Sequence, residues 1–135
     1  MQRLKTRRQF QAVLAGTIVA KTTHFVLHRN ELQVKSVPDQ LHLSNAAVLF
    51  SVSDMWIGAM VPKRWAKCAV TRNTIKRQIY TISADFSQHY REAAFVVRLR
   101  RSFLRTEFIS ACSEQLKLAV RNELQALMLA GAKVP

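Results

Sequence analysis

The sequence predicts an α+β fold: a two-layer α/β sandwich in which helices pack on a mixed sheet with one parallel strand pair. Three observations support this class. Two long segments repeat apolar residues at helical spacing, several short segments are rich in β-branched and aromatic residues, and two of these short segments flank the first long helix. A strand, helix, strand order within one sheet implies parallel strands. The expected order is α-β-β-β-α-β-α, with a fourth strand before the second helix left open.

The N-terminal segment is predicted to be a short helix. Thr6 and Gln9 form a capping-box pattern, Phe10 and Val13 have helical spacing, and Gly16 is suited to ending a helix. A basic pair followed by an apolar run also imitates a secretory signal, but one helix explains all of these marks together.

Strand candidates follow the first helix. Val19–His28 is predicted as one strand, with Phe25 and Leu27 on one face and Val26 and His28 on the other. Residues 31–54 allow one or two further strands with a turn at Pro38-Asp39, and they form an extended or inserted region. Trp56–Val61, stopped by Pro62, and Ala93–Leu99 complete the predicted sheet.

Two longer helices are predicted from apolar stripes. The stripe of the second helix consists of Cys68, Ile75, Ile79, Ile82 and Phe86. The stripe of the last helix, which Thr106 can cap, consists of Ile109, Cys112, Leu116, Val120 and Leu127. Cys68 and Cys112 are interpreted as small core residues of a reducing cytoplasm, although the sequence alone leaves a bridge between them open.

The segment from Lys63 to Arg77 contains six cations and no acid, and no Asp or Glu occurs between Asp54 and Asp85. On a helical wheel Asn73, Lys76, Arg77 and Tyr80 point away from the apolar stripe, and Arg72 lies at its border. A charge run is usually a solvated face, but such faces usually mix signs. This pattern therefore favours a contact with phosphate.

Overall composition agrees with a polyanionic partner. The 135 residues include 21 Lys and Arg against 8 Asp and Glu, a formal charge of +13, and 49% are hydrophobic. Length and composition predict a single ordered domain spanning residues 1–135 with a real core. A membrane surface is also anionic, but the cations are spread over three segments and do not follow one apolar-faced helix.

Protein-borne catalysis is disfavoured. The acids are scattered without a close carboxylate pair for two-metal nuclease chemistry, and no glycine-rich phosphate loop occurs. His24 and His28 would share a strand face about 13 Å apart, too far to hold one metal. No catalytic or metal-binding residue is predicted.

Two parts of the chain resemble a known family. Ile57-Gly58-Ala59-Met60-Val61-Pro62-Lys63-Arg64, running into Ala69-Val70-Thr71-Arg72-Asn73-Thr74-Ile75-Lys76-Arg77, resembles the signature of the protein subunit of bacterial ribonuclease P. Leu4-Lys5, Phe10-Gln11-Ala12-Val13, Phe25-Val26-Leu27-His28 and Phe95-Val96-Val97-Arg98 extend the resemblance. It implies the ribosomal protein S5 domain 2-like fold, with a left-handed crossover between the parallel strands.

The resemblance also implies a function. Family members assist an RNA enzyme that removes the 5′ leader of precursor tRNA in the cytoplasm, where Mg²⁺ is held by RNA and no protein partner is required. The residues carried over for binding the catalytic RNA subunit are Lys63, Arg64, Lys67, Arg72, Asn73, Lys76 and Arg77.

A second surface implied by the resemblance is a central cleft for the leader, here assigned to Phe10, Leu14, Val26 and His28. Leu14 and His28 replace the aromatic residues usual at these positions, which predicts weaker base stacking. Phe10 also suits the core, and His28 also suits a surface strand. Pro62, Ala66 and Tyr80 depart from the family pattern as well.

The alternative to this function is a ribosomal-type structural RNA-binding protein without a ribozyme partner.

Overall fold

A computed structural model describes residues 1–32, 50, 54–103 and 114–133. Within these ranges the chain forms a five-stranded sheet, three α-helices and one short 3-10 helix at Ser87–His89. The elements in chain order are β1 (Gln2–Arg3), α1 (Arg7–Leu14), β2 (Thr17–Lys21), β3 (Phe25–Asn30), β4 (Trp56–Met60), α2 (Ala69–Phe86), β5 (Ala94–Leu99) and α3 (Glu114–Ala132).

The strands are arranged in the order β1-β4-β5-β3-β2. β1 and β5 both run parallel to β4, whereas β3 is antiparallel to β5 and β2 is antiparallel to β3. The chain reaches β5 from β4 through α2, so the parallel pair predicted around the second helix is confirmed, as is the α+β class.

Helices cover both faces of the sheet. Because successive side chains of a strand point to opposite faces, Phe95 and Val97 of β5 join the large core under α2 and α3, whereas Ala94 and Val96 join a smaller cluster with Val13 of α1. The order of elements alone does not reveal this division.

The prediction of one strand over Val19–His28 is wrong, because residues 22–24 form a turn between β2 and β3. Thr22 N–H donates to the Phe25 carbonyl across this turn, at 2.8 Å. No glycine, proline or asparagine marks it in the sequence. Within β3 the predicted alternation holds, since Phe25 and Leu27 face the large core.

The helices follow the predicted signals. Thr6 caps α1, its hydroxyl accepts the Gln9 N–H at 3.2 Å, and the Gln9 side chain completes the capping box. Ile75, Ile79 and Ile82 of α2 are fully buried. Leu116, Val120 and Leu127 of α3 are also buried. Among the described residues, none of these helices combines the length and hydropathy of a bilayer-crossing segment.

Cys68 departs from the predicted stripe, because it is the half-buried N-cap residue of α2 and not part of the helix. Other predictions fall outside the described residues. These are the strands and turn expected within residues 33–53, the Thr106 cap, and the stripe residues Ile109 and Cys112.

Candidate nucleic-acid interface

The basic segment, Lys63–Arg77, consists of the loop after β4 and the first half of α2. Six of its seven predicted RNA-binding side chains are exposed, and Arg72 is half-buried. The exposed residues are Lys63, Arg64, Lys67, Asn73, Lys76 and Arg77. Local sequence explains this arrangement, because Ile75 and Ile79 hold the opposite side of the helix in the core.

No carboxylate in the described part of the chain forms an ion pair with the basic segment. Those carboxylates of the described residues that are paired have other partners: Asp54 pairs with the N-terminal amine, Glu114 pairs with Lys117, and Glu123 bonds to the His24 ring. The positive charge of the basic segment is therefore left for solvent or for an external anion.

Arg72 holds the loop of the basic segment to its helix. Its Nη1 donates to the carbonyls of Ala66 and Lys67, both at 2.9 Å. Nearby, the Arg64 guanidinium lies 5.1 Å from the centre of the Trp65 ring. One guanidinium nitrogen of Arg72 thus donates its hydrogen bonds to the loop, whereas the Arg77 side chain is exposed.

Tyr80 does not project into solvent as the helical wheel predicts. It is half-buried against the large core, and its hydroxyl accepts the Ala59 N–H at 3.3 Å. Along this edge of β4, the Leu4 N–H, just beyond β1, donates to the Ile57 carbonyl. The next N–H of β4 on the same edge is that of Ala59, and the Tyr80 hydroxyl satisfies it. The Arg3 guanidinium lies 4.1 Å from the centre of the Tyr80 ring. The basic face therefore ends before Tyr80.

On the other face of the sheet, Phe10 and Leu14 of α1 are half-buried. Phe10 lies directly over Gly58, where an added Cβ would be 2.6 Å from Phe10 Cε1 and 2.7 Å from Leu4 Cδ1. The absence of a side chain at Gly58, in the middle of β4, therefore leaves room for the Phe10 ring.

The strand residues of the central cleft are buried. Val26 is 2% exposed and His28 is 6% exposed, so His28 is not a surface-strand histidine. Arg98 Nε donates to His28 Nε2 at 3.2 Å, which leaves the ring proton on Nδ1. Nδ1 has no hydrogen-bond partner among the described residues. Burial, followed by the Arg98 charge, lowers the pKa of His28, so this ring is neutral.

Gly58 and Arg98 lie within the motifs of the family resemblance, but the sequence predicts no role for either residue. A glycine inside a strand and an arginine inside the apolar run of β5 were the available signals. Sequence reasoning also placed His24 on a strand, whereas His24 lies in the turn before β3, where its Nδ1 is 2.7 Å from Glu123 Oε1. No group of three His, Cys, Asp or Glu suited to a metal is found among the residues described.

A family model matches most of the chain, and solved structures share its fold. The family model described as Ribonuclease P matches residues 1–123. The RNase P protein of Staphylococcus aureus superposes with a TM-score of 0.64 at 20% identity, covering 96% of this chain and 94% of that chain. The RNase P protein from Thermotoga maritima gives a TM-score of 0.54 at 19% identity, with coverage of 93% and 97%. A search of curated protein sequences finds no significant match.

Proposed function

Since the chain belongs to the ribonuclease P protein family, a family of ribonucleoprotein endoribonuclease subunits, we propose that it binds the catalytic RNA subunit and the 5′ leader of precursor tRNA. It thereby assists endonucleolytic removal of the leader in tRNA maturation. The observation that carries this proposal is the basic segment, which is exposed and has no ion-pair partner among the carboxylates of the described residues.

The basic segment is suited to a folded RNA backbone. Arg77 offers a planar fork to paired phosphate oxygens, Lys76 offers a point charge, and Asn73 can donate to phosphate or accept from a 2′-hydroxyl. Neutralising several phosphates also lowers the repulsion between RNA segments that crowd around a metal site.

The leader is assigned to the central cleft, with an unequal share for its four residues. Phe10 and Leu14 are half-buried and have surface to offer an RNA base, whereas Val26 and His28 are almost fully covered. A base stacked on an aromatic ring gains about 1–3 kcal/mol, so Phe10 is expected to contribute most of the leader affinity.

Catalysis is assigned to the RNA. Mg²⁺ held by RNA and substrate supplies the activated water in this scheme, and the protein contributes charge neutralisation and substrate positioning. The chain then acts in the cytoplasm without a protein partner.

Cleavage of precursor tRNA tests the proposal directly. A bacterial ribonuclease P RNA at limiting Mg²⁺ should cleave faster when the protein is added, and the protein alone should not cleave. Cleavage by the protein alone would contradict the assignment of catalysis to RNA. Absence of stimulation at every salt concentration would favour a ribosomal-type RNA-binding protein instead.

Two substitutions separate the proposed surfaces. Arg77→Ala should weaken binding of the RNA subunit and reduce its salt dependence by about one phosphate contact. Phe10→Ala should reduce the preference for substrates that carry a leader. Arg121→Ala removes an exposed arginine from α3 and serves as the charge-matched control. If Arg77→Ala and Phe10→Ala changed the same property, the two-surface model would be wrong.

A further inference from the structure

A second basic surface lies at the opposite end of α2 from the loop of the basic segment. It is a cavity of about 300 Å³ between the end of β3, the 3-10 helix and the last turn of α3. The 18 residues of α2 separate the two ends by about 27 Å at 1.5 Å per residue. The cavity is therefore distinct from the loop of the basic segment, and it is distinct from the central cleft because its strand residues Arg29 and Phe95 lie on the opposite face of the sheet from His28.

Positive charge dominates the cavity wall. Arg29, Arg91 and Lys133 line it together with His89, and none of the described residues that line it is acidic. In the portion of the chain that the structure describes, none of these three cations forms an ion pair. The described part of the wall thus carries three cations and no carboxylate.

Arg29 occupies an unusual position for a charged residue. It follows Phe25 and Leu27 at two-residue spacing on the face of β3 that supports the large core, and it is half-buried. A partly desolvated guanidinium is costly unless an anion or several acceptors lie near it. The strand ends beneath the last turn of α3, so Arg29 borders the cavity and not the closed core.

An aromatic wall faces these cations. The Tyr90 hydroxyl donates to the Met128 carbonyl at 2.5 Å, and the Tyr90 ring meets Phe95 edge-on with centroids 5.0 Å apart. Burial raises the pKa of Tyr90, so its hydroxyl adds no negative charge to the cavity. Gly131 leaves room for the ring, because a Cβ there would be 2.5 Å from the Tyr90 hydroxyl oxygen.

We propose that this cavity binds a nucleotide phosphate of an RNA strand, with Arg29, Arg91 and Lys133 on the phosphate oxygens and Tyr90 as the wall beside the nucleoside. Arginine suits phosphate because its fork donates two parallel hydrogen bonds. The volume is at the lower end of small-molecule pockets, which begin at about 300 Å³. The assignment to an RNA strand rests on the proposed function, whereas the phosphate chemistry does not.

The phosphate chemistry is tested by nuclear magnetic resonance titration of the isolated protein with adenosine 5′-monophosphate, inorganic phosphate and adenosine. We expect the monophosphate to shift the backbone amides of Arg91, Gly131 and Lys133, inorganic phosphate to shift a subset of them, and adenosine to shift none. Shifts confined to the basic segment would overturn the proposal.

Substitutions give the second readout. Arg29→Gln should weaken monophosphate binding by about tenfold, as expected when a charge-assisted fork is removed. Because Arg29 is half-buried, the exposed Arg91→Gln variant repeats the test with little risk to folding, and should weaken binding by about threefold. Arg121→Gln is the control with the same loss of charge. Equal affinity in all three variants would overturn the proposal.

The source of the phosphate is tested with the catalytic RNA subunit. Arg91→Gln should reduce the salt dependence of RNA binding by about one contact, additively with Arg77→Ala. If Arg91→Gln lost monophosphate binding but bound the RNA subunit unchanged, the ligand of the cavity would be a free nucleotide and not an RNA strand. If Arg77→Ala abolished the stimulation of cleavage and Arg91→Gln did not, the cavity would not be an RNA contact. The proposed function would still be supported.

Discussion

The basic segment and the central cleft lie on opposite faces of the same five-stranded sheet, and their residues differ in how far they are buried. Six of the seven side chains assigned to the basic segment are exposed, and none of its cations is neutralised by the described carboxylates. In the cleft, Val26 and His28 are almost completely buried, and Phe10 is packed over Gly58.

This difference separates two kinds of candidate residue. An exposed cation does little for the core, so its substitution should change binding to an anionic partner and leave stability unchanged. Phe10 packs in the core as well as in the proposed leader site, so a substitution there should change both stability and leader binding. Stability and binding are therefore separate readouts for the two surfaces.

The largest effect is expected at the floor of the cleft. Gly58→Ala places a methyl group against Phe10 and Leu4 and should lower the free energy of unfolding by about 1–3 kcal/mol, as overpacking does. Urea denaturation measures this loss. In a Phe10→Ala background the same substitution should cost clearly less. An equal cost in both backgrounds would show that Phe10 is not the residue displaced.

Within the basic segment, Arg72 and Arg77 should behave differently. Arg72→Ala releases the Ala66 and Lys67 carbonyls and should weaken RNA binding by about tenfold, roughly 1.4 kcal/mol. Arg77→Ala should cost about threefold through one lost phosphate contact. Limited trypsin digestion provides the structural check, because cleavage after Lys67 should accelerate in the Arg72 variant alone.

A smaller effect is expected where the basic face ends. Tyr80→Phe removes the acceptor of the Ala59 N–H and should cost about 0.5–1.5 kcal/mol of stability, with RNA affinity unchanged. Tyr80→Leu also removes the ring beneath Arg3 and should cost more. A change in RNA affinity with Tyr80→Phe would extend the basic segment to this residue.

The smallest effect concerns pH. The pKa of His28 is lowered in the fold, so the unfolded chain takes up a proton first as the pH falls. The neutral, buried ring therefore stabilises the fold at pH values above the pKa of an unfolded histidine. This stabilisation is lost as the pH falls towards the lower pKa of folded His28. Between about pH 7.5 and about pH 5.5, His28→Gln should lose less stability than the unmodified protein. Equal losses in denaturant titrations would contradict a buried neutral His28.

Sequence reasoning predicted best the features that depend on local pattern. The Thr6 capping box, the Ile75, Ile79 and Ile82 stripe and the parallel pair around α2 each follow from spacing or order. The turn at residues 22–24 was missed because its stabilising partners, Glu123 and Arg100, are distant in sequence.

The same distinction between local pattern and contacts distant in sequence applies to the candidate sites. Exposure of the basic segment followed from the absence of acids and from the helical wheel, whereas Tyr80 turned inward because it bonds to a strand that the wheel does not include. Burial of Val26 and His28 depends on what packs over the sheet, which no local pattern encodes. Whether these residues contact RNA stays a prediction.

The bonds that hold the turn between β2 and β3 have a consequence for synthesis of the chain. Glu123 of α3 accepts from the Thr22 hydroxyl, from the His24 backbone amide and from the His24 ring, across 99 to 101 residues of sequence. A ribosome must therefore synthesise the chain beyond Glu123 before these bonds can form. Until then the β2 edge of the sheet lacks these bonds, and we expect it to be open to proteases in a nascent chain.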